Sequence, residues 1–195
     1  MAAPPKIKAS FVEPMLLLRT ETLPEGPNWL MELKLDGYRA LAFKTAGSVQ
    51  LRSRNNNDFG GKYPLLLKAL ASMPDETVID GEMVALDESS RPSFNTLQNY
   101  GSSRAPVFFY AFDVLVIAGR SVMREALGTR RELLERKVLS KLKEPVRFSP
   151  ELNGNLSDLV ESVKAQGLEG LVAKRRDSFY EPGQRSGSWQ MISEA

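Results

Sequence analysis

The sequence predicts a mixed α+β fold with largely antiparallel sheets, and three observations favour it. Short β-type runs recur along the 195 residues, and several of them pair as hairpins. Helical patterns fall between these runs irregularly, not in the regular alternation of a doubly wound parallel sheet. The glycine-rich phosphate loops of such sheets, G-x-x-x-x-G-K-[ST] and G-x-G-x-x-G, are absent from the sequence.

The strand predictions come from β-type composition bounded by turn residues. Residues 38–44 and 49–53 form a predicted hairpin around Ala46-Gly47-Ser48. The other predicted strands are 29–35, 78–86, 107–117, 170–175 and 188–192.

The helix predictions come from apolar spacing and capping residues. Residues 63–73 carry apolar side chains at helical spacing, and Ser93 is placed to cap a short helix through residue 100. Residues 127–139 form a predicted helix with Leu133, Leu134, Val138 and Leu139 on its inner face. Either Asn155 or Ser157 is placed to cap a helix that runs to residue 165.

The composition excludes several kinds of chemistry. The sequence contains no cysteine and no histidine, so disulfides, thiolate sites and histidine bases are excluded. Catalysis would have to use Lys, Arg, Asp, Glu, Ser, Thr or Tyr, and a bound metal would be a hard ion such as Mg²⁺. With no signal peptide, apolar span or lipidation motif, we expect a cytoplasmic protein without a membrane partner.

The net charge of +2 is too small to indicate nucleic-acid binding by itself. Basic residues concentrate between residues 120 and 147, and this run is either a solvated helix face or a footprint for a phosphate backbone. Its members are Arg124, Arg130, Arg131, Arg136, Lys137, Lys141 and Lys143.

The segment Glu32-Leu33-Lys34-Leu35-Asp36-Gly37-Tyr38-Arg39 is the first that could carry chemistry. Lys34 ends a predicted strand, and Glu32 shares its face because strand side chains alternate. Gly37 allows a tight bend after the lysine. Lys34 is therefore either a nucleophile or one of several solvated charges in a hairpin turn.

Four further segments stand out, each weak alone. Ser53-Arg54-Asn55 ends a strand, where an arginine is usually solvated. Asp80-Gly81-Glu82 lies in an apolar run, and the carboxylates either face solvent at an edge or are paired or metal-bound. Phe112 is either a core residue or a stacking surface for a base, and Glu169 and Lys174 bracket a strand.

The order of these motifs resembles that of the covalent nucleotidyltransferase superfamily, which comprises DNA ligases, RNA ligases and capping enzymes. The motifs are, in order, K-x-D-G-x-R, S-R-N, D-G-E, an apolar F-D strand and E-G-L-V-x-K. The resemblance runs from about residue 11 to residue 189. The first and last motifs, with the ending from Tyr180 to Trp189, are most similar to ATP-dependent DNA ligases, and above all to the ligase module of bacterial end-joining ligases.

This resemblance implies a single adenylation domain over residues 1–195, with a loose lead-in at residues 1–10 and a nucleotide cleft between two antiparallel sheets, the ATP-grasp-like arrangement of ligase nucleotidyltransferase domains. It implies ATP and Mg²⁺ or Mn²⁺ as cofactors and nicked or broken duplex DNA as the partner. Lys34 would attack the α-phosphate and become lysyl-AMP. The AMP would then pass to a DNA 5′-phosphate for strand joining in repair.

The resemblance also implies the roles of the other motif residues. Glu32 would read the adenine amino group, Phe112 would stack on adenine, and Arg39 would contact the ribose or the phosphates. Arg54 would stabilise phosphate charge, and Glu82 would contact the ribose or join Glu169 in holding the metal. The remaining nucleotide-binding residues implied are Leu35, Lys174 and Arg185.

The sequence departs from the family pattern at its end. The family's last motif in this domain is usually W-x-K-x-K, whereas this sequence has Trp189-Gln190-Met191-Ile192-Ser193. We also expect no OB-fold domain, which in the family usually follows, and this expectation leaves room for a separate OB-fold or end-joining partner. Two alternatives therefore stand beside the active ligase: a weakened nucleotide- or DNA-binding module, and an RNA ligase or guanylyltransferase.

Overall fold

The computed structural model describes residues 2–101 and 105–194, and this part of the chain forms two β-sheets with helices packed against them. Its strands are β1 (Leu18–Arg19), β2 (Trp29–Lys34), β3 (Tyr38–Thr45), β4 (Ser48–Ser53), β5 (Thr77–Ala85), β6 (Val107–Ile117), β7 (Arg120–Ser121), β8 (Val146–Phe148), β9 (Gly170–Arg175) and β10 (Trp189–Ser193). Its α-helices are α1 (Pro64–Leu70), α2 (Phe94–Gln98), α3 (Leu127–Leu133) and α4 (Leu156–Ala165).

The two sheets are mainly antiparallel. The smaller sheet has the order β1-β10-β9-β2, and the larger has the order β4-β3-β5-β6-β7, with β8 also pairing with β6. The pairs β1/β10 and β6/β8 are parallel, and the other strand pairs are antiparallel. The α+β fold predicted from the sequence is confirmed.

The β3–β4 hairpin follows from its turn residues. Ala46 and Gly47 both have positive φ angles, of 47° and 78°, the conformation that matches the twist of two directly joined strands. In the strand before the turn, side chains alternate between the two faces of the larger sheet. Ala40 and Ala42 face the helices, whereas Leu41 and Phe43 face the smaller sheet.

The helices begin where their capping residues place them. The Ser93 side chain accepts a hydrogen bond from the Thr96 backbone N–H at the start of α2. At α4 the cap is Asn155, which accepts from the Asp158 N–H, so the choice between Asn155 and Ser157 is settled for Asn155. The predicted helix 127–139 is α3 followed by a π-helical turn, Leu134–Val138, and a 3₁₀ turn, Leu139–Lys141.

Three apolar clusters hold these layers together. One packs α1, α2 and the π-helical turn against the larger sheet, a second lies between the two sheets around Met15 and Trp189, and a third packs α4 on the smaller sheet. The cluster between the sheets fixes their separation and therefore the shape of the space that opens beside it.

The structure corrects the interpretation of the basic run at two positions. Arg130 and Arg131 are 0% and 5% exposed, so they belong neither to a solvated face nor to a phosphate footprint. The buried inner face of this segment includes Leu127, Leu134 and Val138, and the two arginines lie at helical spacing between them. They are buried because each has a carboxylate partner inside the protein.

The expected loose lead-in is anchored at its C-terminal end. The Ile7 N–H donates to the Gly119 carbonyl, and Ala9 is buried with its N–H directed at Glu76. Met1 lies outside the described residues. Across residues 2–101 and 105–194, the helices are all too short or too polar to cross a membrane.

Candidate active site

A cleft of about 630 Å³ opens between the two sheets, beside the apolar cluster that separates them. It is bordered by residues of β2, β3, β5, β6, β9 and β10 and by the end of β4. All the residues that the sequence assigned to nucleotide binding line this cleft: Glu32, Lys34, Leu35, Arg39, Arg54, Glu82, Phe112, Lys174 and Arg185. Segments as far apart as residues 32 and 185 thus converge on one space.

Lys34 lies at the end of β2, where strand pairing brings Glu169 next to it. Lys34 is directly opposite Gly170 in the β2/β9 register, so the residue before β9 faces the lysine. The Lys34 ammonium donates to Glu169 Oε1, and both side chains are about one-fifth exposed. Glu169 does not line the cleft itself, but it binds the ammonium group of Lys34, which does line the cleft.

The bend after Lys34 requires Gly37. A Cβ atom at this position would lie 1.9 Å from the Met83 carbonyl oxygen of β5, far inside van der Waals contact. Only glycine lets the β2–β3 connection approach β5 this closely. The bend therefore brings the segment after Lys34 close to β5 of the larger sheet. Glu82 is the neighbour of Met83 on β5.

Glu82 is a partly buried carboxyl group on the cleft side of β5. Burial raises its pKa to about 8, although the positive charges of Arg39 and Lys34 oppose the shift. The negative charge of Glu169 also contributes to the rise, which places the two carboxylates within electrostatic range of each other and of Lys34.

Asp80 is fully buried and paired, so the solvent-facing alternative for the Asp80-Gly81-Glu82 segment is wrong. Its carboxylate accepts from Arg39 Nε and Nη2, both at 2.7 Å, and from the Tyr180 hydroxyl, also at 2.7 Å. β5 is flanked by β3 and β6, so Asp80 lies in the interior of the sheet. Arg39 Nη2 also donates to the Met15 carbonyl, which fixes the N-terminal segment at the cleft.

Glu32 lies on β2 and is 2% exposed, with two basic partners. Lys174 Nζ lies 2.9 Å from its Oε2, and Arg131 Nη1 lies 3.3 Å from the same oxygen. The Ser149 hydroxyl donates to Oε1 at 3.4 Å. Glu32 and Lys174 therefore form a fixed polar floor in an otherwise apolar part of the cleft.

Phe112 is a core residue that also borders the cleft, and its stacking on a base stays a prediction. It belongs to the apolar cluster between the sheets and also lines the cleft. The Lys174 ammonium lies 3.9 Å from its ring centroid and 4.3 Å from that of Trp189. Burial lowers the pKa of Lys174, while Glu32 opposes the shift. The aromatic rings stabilise its positive charge.

Arg54 and Arg185 lie on the rim of the cleft and are exposed. Arg185 Nε donates to the Leu17 carbonyl, which directs the side chain along the rim. Within residues 2–101 and 105–194, neither arginine is in an ion pair, whereas Lys34, Arg39 and Lys174 are paired with carboxylates. The rim therefore offers guanidinium groups that an anionic ligand could engage without breaking an existing pair.

The wall formed by β10 is apolar where the family pattern has a lysine. Met191 lines the cleft opposite Val172 of β9. Ser193, at the other missing lysine, lies outside the cleft lining and directs its hydroxyl at the Glu169 carbonyl, 3.5 Å away. The structure thus places Met191, but not Ser193, against the space where a ligand would bind.

A metal ion would find a partial set of ligands here. In the described part of the chain, no three acidic, histidine or cysteine side chains are grouped so as to hold an ion by themselves. Glu82 and Glu169 are two carboxylates that both interact electrostatically with Lys34. Magnesium commonly binds proteins through one or two carboxylates and takes its other ligands from water and substrate phosphates. The donor set fits such an ion.

Sequence reasoning missed several residues of the site, among them Arg131, Ser149 and Tyr180. Arg131 could have been found from its position three residues before Leu134 and four after Leu127, on the apolar side of the helix. Ser149 and Tyr180 had no comparable signal, because their roles depend on contacts with residues 117 and 100 positions away.

Comparison with known proteins gives a consistent family match. Residues 14–192 match the family model described as "ATP dependent DNA ligase domain". The chain is 40% identical over 166 residues to the multifunctional non-homologous end joining protein LigD of Mycolicibacterium smegmatis, covering 85% of this chain and 21% of that protein. It is 31% identical to the SPbeta prophage-derived DNA ligase-like protein LigB of Bacillus subtilis, covering 93% of this chain and 67% of that one.

A solved structure of mycobacterial DNA ligase D complexed with ATP and MES superposes with a TM-score of 0.81 at 36% identity. The superposition covers 94% of this chain and 60% of that one. This chain spans about a fifth of the length of the LigD proteins it matches.

Proposed function

Because this chain belongs to the ATP-dependent DNA ligase domain family, we propose that it carries out the adenylation step of DNA strand joining, with Lys34 as the nucleophile. The observation that carries the proposal is the convergence of the motif residues on the cleft that Lys34 enters. The Lys34 ammonium is held by Glu169. Glu32 lies two positions before Lys34 on the same face of β2, and Lys174 of β9 is its ion-pair partner.

The proposed reaction has three group transfers. Lys34 Nζ loses a proton and forms a bond to the α-phosphorus of ATP, while the bond from that phosphorus to the bridging oxygen of the β-phosphate breaks and pyrophosphate leaves. A DNA 5′-phosphate oxygen then attacks the same phosphorus and displaces Lys34. Finally the 3′-hydroxyl attacks the DNA phosphate, loses its proton and releases AMP, which closes the strand.

The contact between Lys34 and Glu169 defines what must change before the first transfer. In the pair, the ammonium proton is directed at Glu169 Oε1 and the nitrogen lone pair is not available. Attack requires that this proton leave and that the side chain turn toward the α-phosphate. We propose that Glu169 holds Lys34 until an anionic ligand competes for the lysine. Glu169 would then be available to a cation such as Mg²⁺.

The nucleotide would lie with its base toward the polar floor and its phosphates toward the rim. Glu32 would accept from the exocyclic amine of adenine, with Phe112 as the stacking surface. Arg39 has its Nε and Nη2 already bonded to Asp80 and Met15, so its Nη1 is left for the ribose or phosphates. Arg54 and Arg185, on the rim, would stabilise phosphate charge, and Lys174 would line the pocket beside Glu32.

Mg²⁺ or Mn²⁺ is part of the proposal through Glu82 and Glu169. Such an ion would be held by these two carboxylates and would supply charge neutralisation and polarisation at the α-phosphate. The elevated pKa of Glu82, about 8, is consistent with a site that becomes fully charged only when a cation joins it.

The proposed partner is nicked or broken duplex DNA, and the proposed process is DNA repair by end joining. The LigD relatives carry non-homologous end joining in their names, and this chain corresponds to about a fifth of such a protein. An OB-fold or end-joining partner would supply further contacts to the DNA.

A second candidate, a nucleotide- or DNA-binding module, is favoured by one observation. Met191 presents an apolar side chain to the cleft where the family pattern has a lysine. Loss of one preorganised positive group at a transferring phosphate costs about 3 kcal/mol, or roughly a hundredfold in rate. Such a loss could leave nucleotide binding intact while slowing transfer.

A nick-joining assay tests the proposed function and separates these candidates. The chain is incubated with ATP, Mg²⁺ and a duplex that carries one labelled 5′-phosphate at a nick. We expect sealed or 5′-adenylated strand that depends on Lys34 and is absent in Lys34→Ala. A chain that binds ATP or the nicked duplex but transfers no AMP would refute the ligase proposal and favour the binding module.

A further inference from the structure

Arg131 is a buried arginine whose side chain contacts both sheets at the edge of the cleft. It extends from α3 and is 5% exposed. Its Nη2 donates to the Ser149 carbonyl at 2.8 Å and its Nη1 to the Phe112 carbonyl at 3.2 Å. Its guanidinium lies 4.5 Å from the centroid of the Phe148 ring. The orientation of the guanidinium is therefore fixed from several directions before any ligand arrives.

The same guanidinium reaches Glu32 on the other sheet. Arg131 Nη1 lies 3.3 Å from Glu32 Oε2, the oxygen that also faces Lys174 Nζ at 2.9 Å. Two positive groups thus lie within ion-pair distance of Oε2, although that oxygen has no hydrogen-bond partner in the described part of the chain. Oε1 has no ion-pair partner there and accepts one long hydrogen bond, from the Ser149 hydroxyl at 3.4 Å. A carboxylate oxygen can accept more than one hydrogen bond, so Oε1, which no cation contacts, remains available as an acceptor.

We infer that Arg131 is a positioning residue that sets the nucleobase preference of the cleft by holding Glu32 with Oε1 free for an exocyclic amine. The inference rests on the proposed function, because it takes the base-reading role of Glu32 from it. Arg131 does not line the cleft and so acts through lining residues that it contacts, namely Glu32 and the backbone carbonyls of Phe112 and Ser149. The ligand class is a 6-aminopurine nucleotide.

The geometry explains why an arginine is needed at this position. A planar guanidinium can donate in fixed directions to two carbonyls and one carboxylate at once, whereas a lysine ammonium has a different shape and shorter reach. Arg131→Lys keeps the buried positive charge but cannot reproduce the three directed contacts. Glu32 would then be held only by Lys174 and by the long hydrogen bond from Ser149, and its carboxylate would sample more than one orientation.

The test compares ATP with purine riboside triphosphate, which lacks the exocyclic amine. Binding is measured by calorimetric titration in the full chain carrying Lys34→Met, so that no covalent adduct forms. We expect this parent to prefer ATP by about tenfold or more. Arg131→Lys should lower that preference by at least about threefold, because the amine loses a fixed acceptor.

Two further variants keep the test decisive. Phe148→Leu removes the ring beneath the Arg131 guanidinium without touching Glu32, and it should shift the preference in the same direction. Arg130→Lys is the matched control, because Arg130 is the adjacent buried arginine, is paired with Asp113 and makes no contact with Glu32. It should lower stability without changing the ratio of the two affinities.

An equal weakening of both nucleotides in the Arg131→Lys and Phe148→Leu variants would overturn the inference, because a purely structural role lowers both affinities alike. A parent that binds the two nucleotides equally would overturn it too. Failure of the chain to form lysyl-AMP would count against the proposed function alone, since the affinity ratio is measured without that chemistry.

Discussion

Replacing Asp80 by asparagine should destabilise the protein strongly, because it removes the charge that compensates a guanidinium between the sheets. Asp80 is 0% exposed and receives three hydrogen bonds, two from Arg39 and one from Tyr180. An asparagine has one acceptor oxygen and turns its amide donors toward groups that are themselves donors. Breaking a buried pair by removing one partner costs about 3–5 kcal/mol.

This cost is large compared with the total stability of a folded domain, which is about 5–15 kcal/mol. For a chain of this size each kcal/mol lowers Tm by about 2–4 °C, so we expect a drop of about 6–20 °C. Urea unfolding followed by far-UV circular dichroism measures the difference. Asp177→Asn is the matched control, since Asp177 is paired with Arg175 but its side chain is 75% exposed.

The control should lose no more than about 1 kcal/mol, because exposed ion pairs contribute little. If Asp80→Asn also lost less than about 1 kcal/mol, the reasoning would be refuted. The contact of Asp80 with Arg39 and Tyr180 would then not carry the stability assigned to it.

Two further predictions concern the geometry and charge of the cleft. Gly37→Ala would place a Cβ 1.9 Å from the Met83 carbonyl and displace the bend after the nucleophile, so lysyl-AMP formation should slow by about a hundredfold. Gly61→Ala, which meets nothing within 4 Å, should keep the normal rate, and equal rates for the two variants would contradict the argument. Met191→Lys adds a positive group to the cleft wall and should raise single-turnover adenylation by about tenfold or more. Gln190→Lys, on the opposite face of β10, should not, and an equal gain in both would exclude a specific effect.

The parts of the fold that local pattern determines were predictable from the sequence. β6 runs from Val107 to Ile117, the predicted range, because a long β-type run bounded by turn residues has few alternatives. The cap of α2 was predictable for the same reason, since Ser93 acts within three residues of itself. For α4 the sequence narrowed the cap to Asn155 or Ser157, and the structure has Asn155. The two-residue strands β1 and β7 were not, because each depends on a partner that the local sequence does not specify.

The motif residues of the candidate site were predictable from the sequence, but their pairing and their supporting residues were not. The family resemblance identified residues that the structure gathers in one cleft. It did not indicate that Asp80 would be shared by Arg39 and Tyr180, or that Arg131 would reach Glu32 from a helix. Such contacts join residues about 40 to 100 positions apart and follow from how the sheets and α3 pack, which no local pattern specifies.

The central claim is that Lys34 becomes covalently bound to AMP. The most direct measurement is intact-protein mass spectrometry after incubation with ATP and Mg²⁺ or Mn²⁺, also applied to the protein as purified. The account predicts a gain of one AMP per chain, mapped by peptide analysis to Lys34 and absent in Lys34→Ala. A folded chain that shows no AMP under any of these conditions, or AMP on another residue, would contradict it.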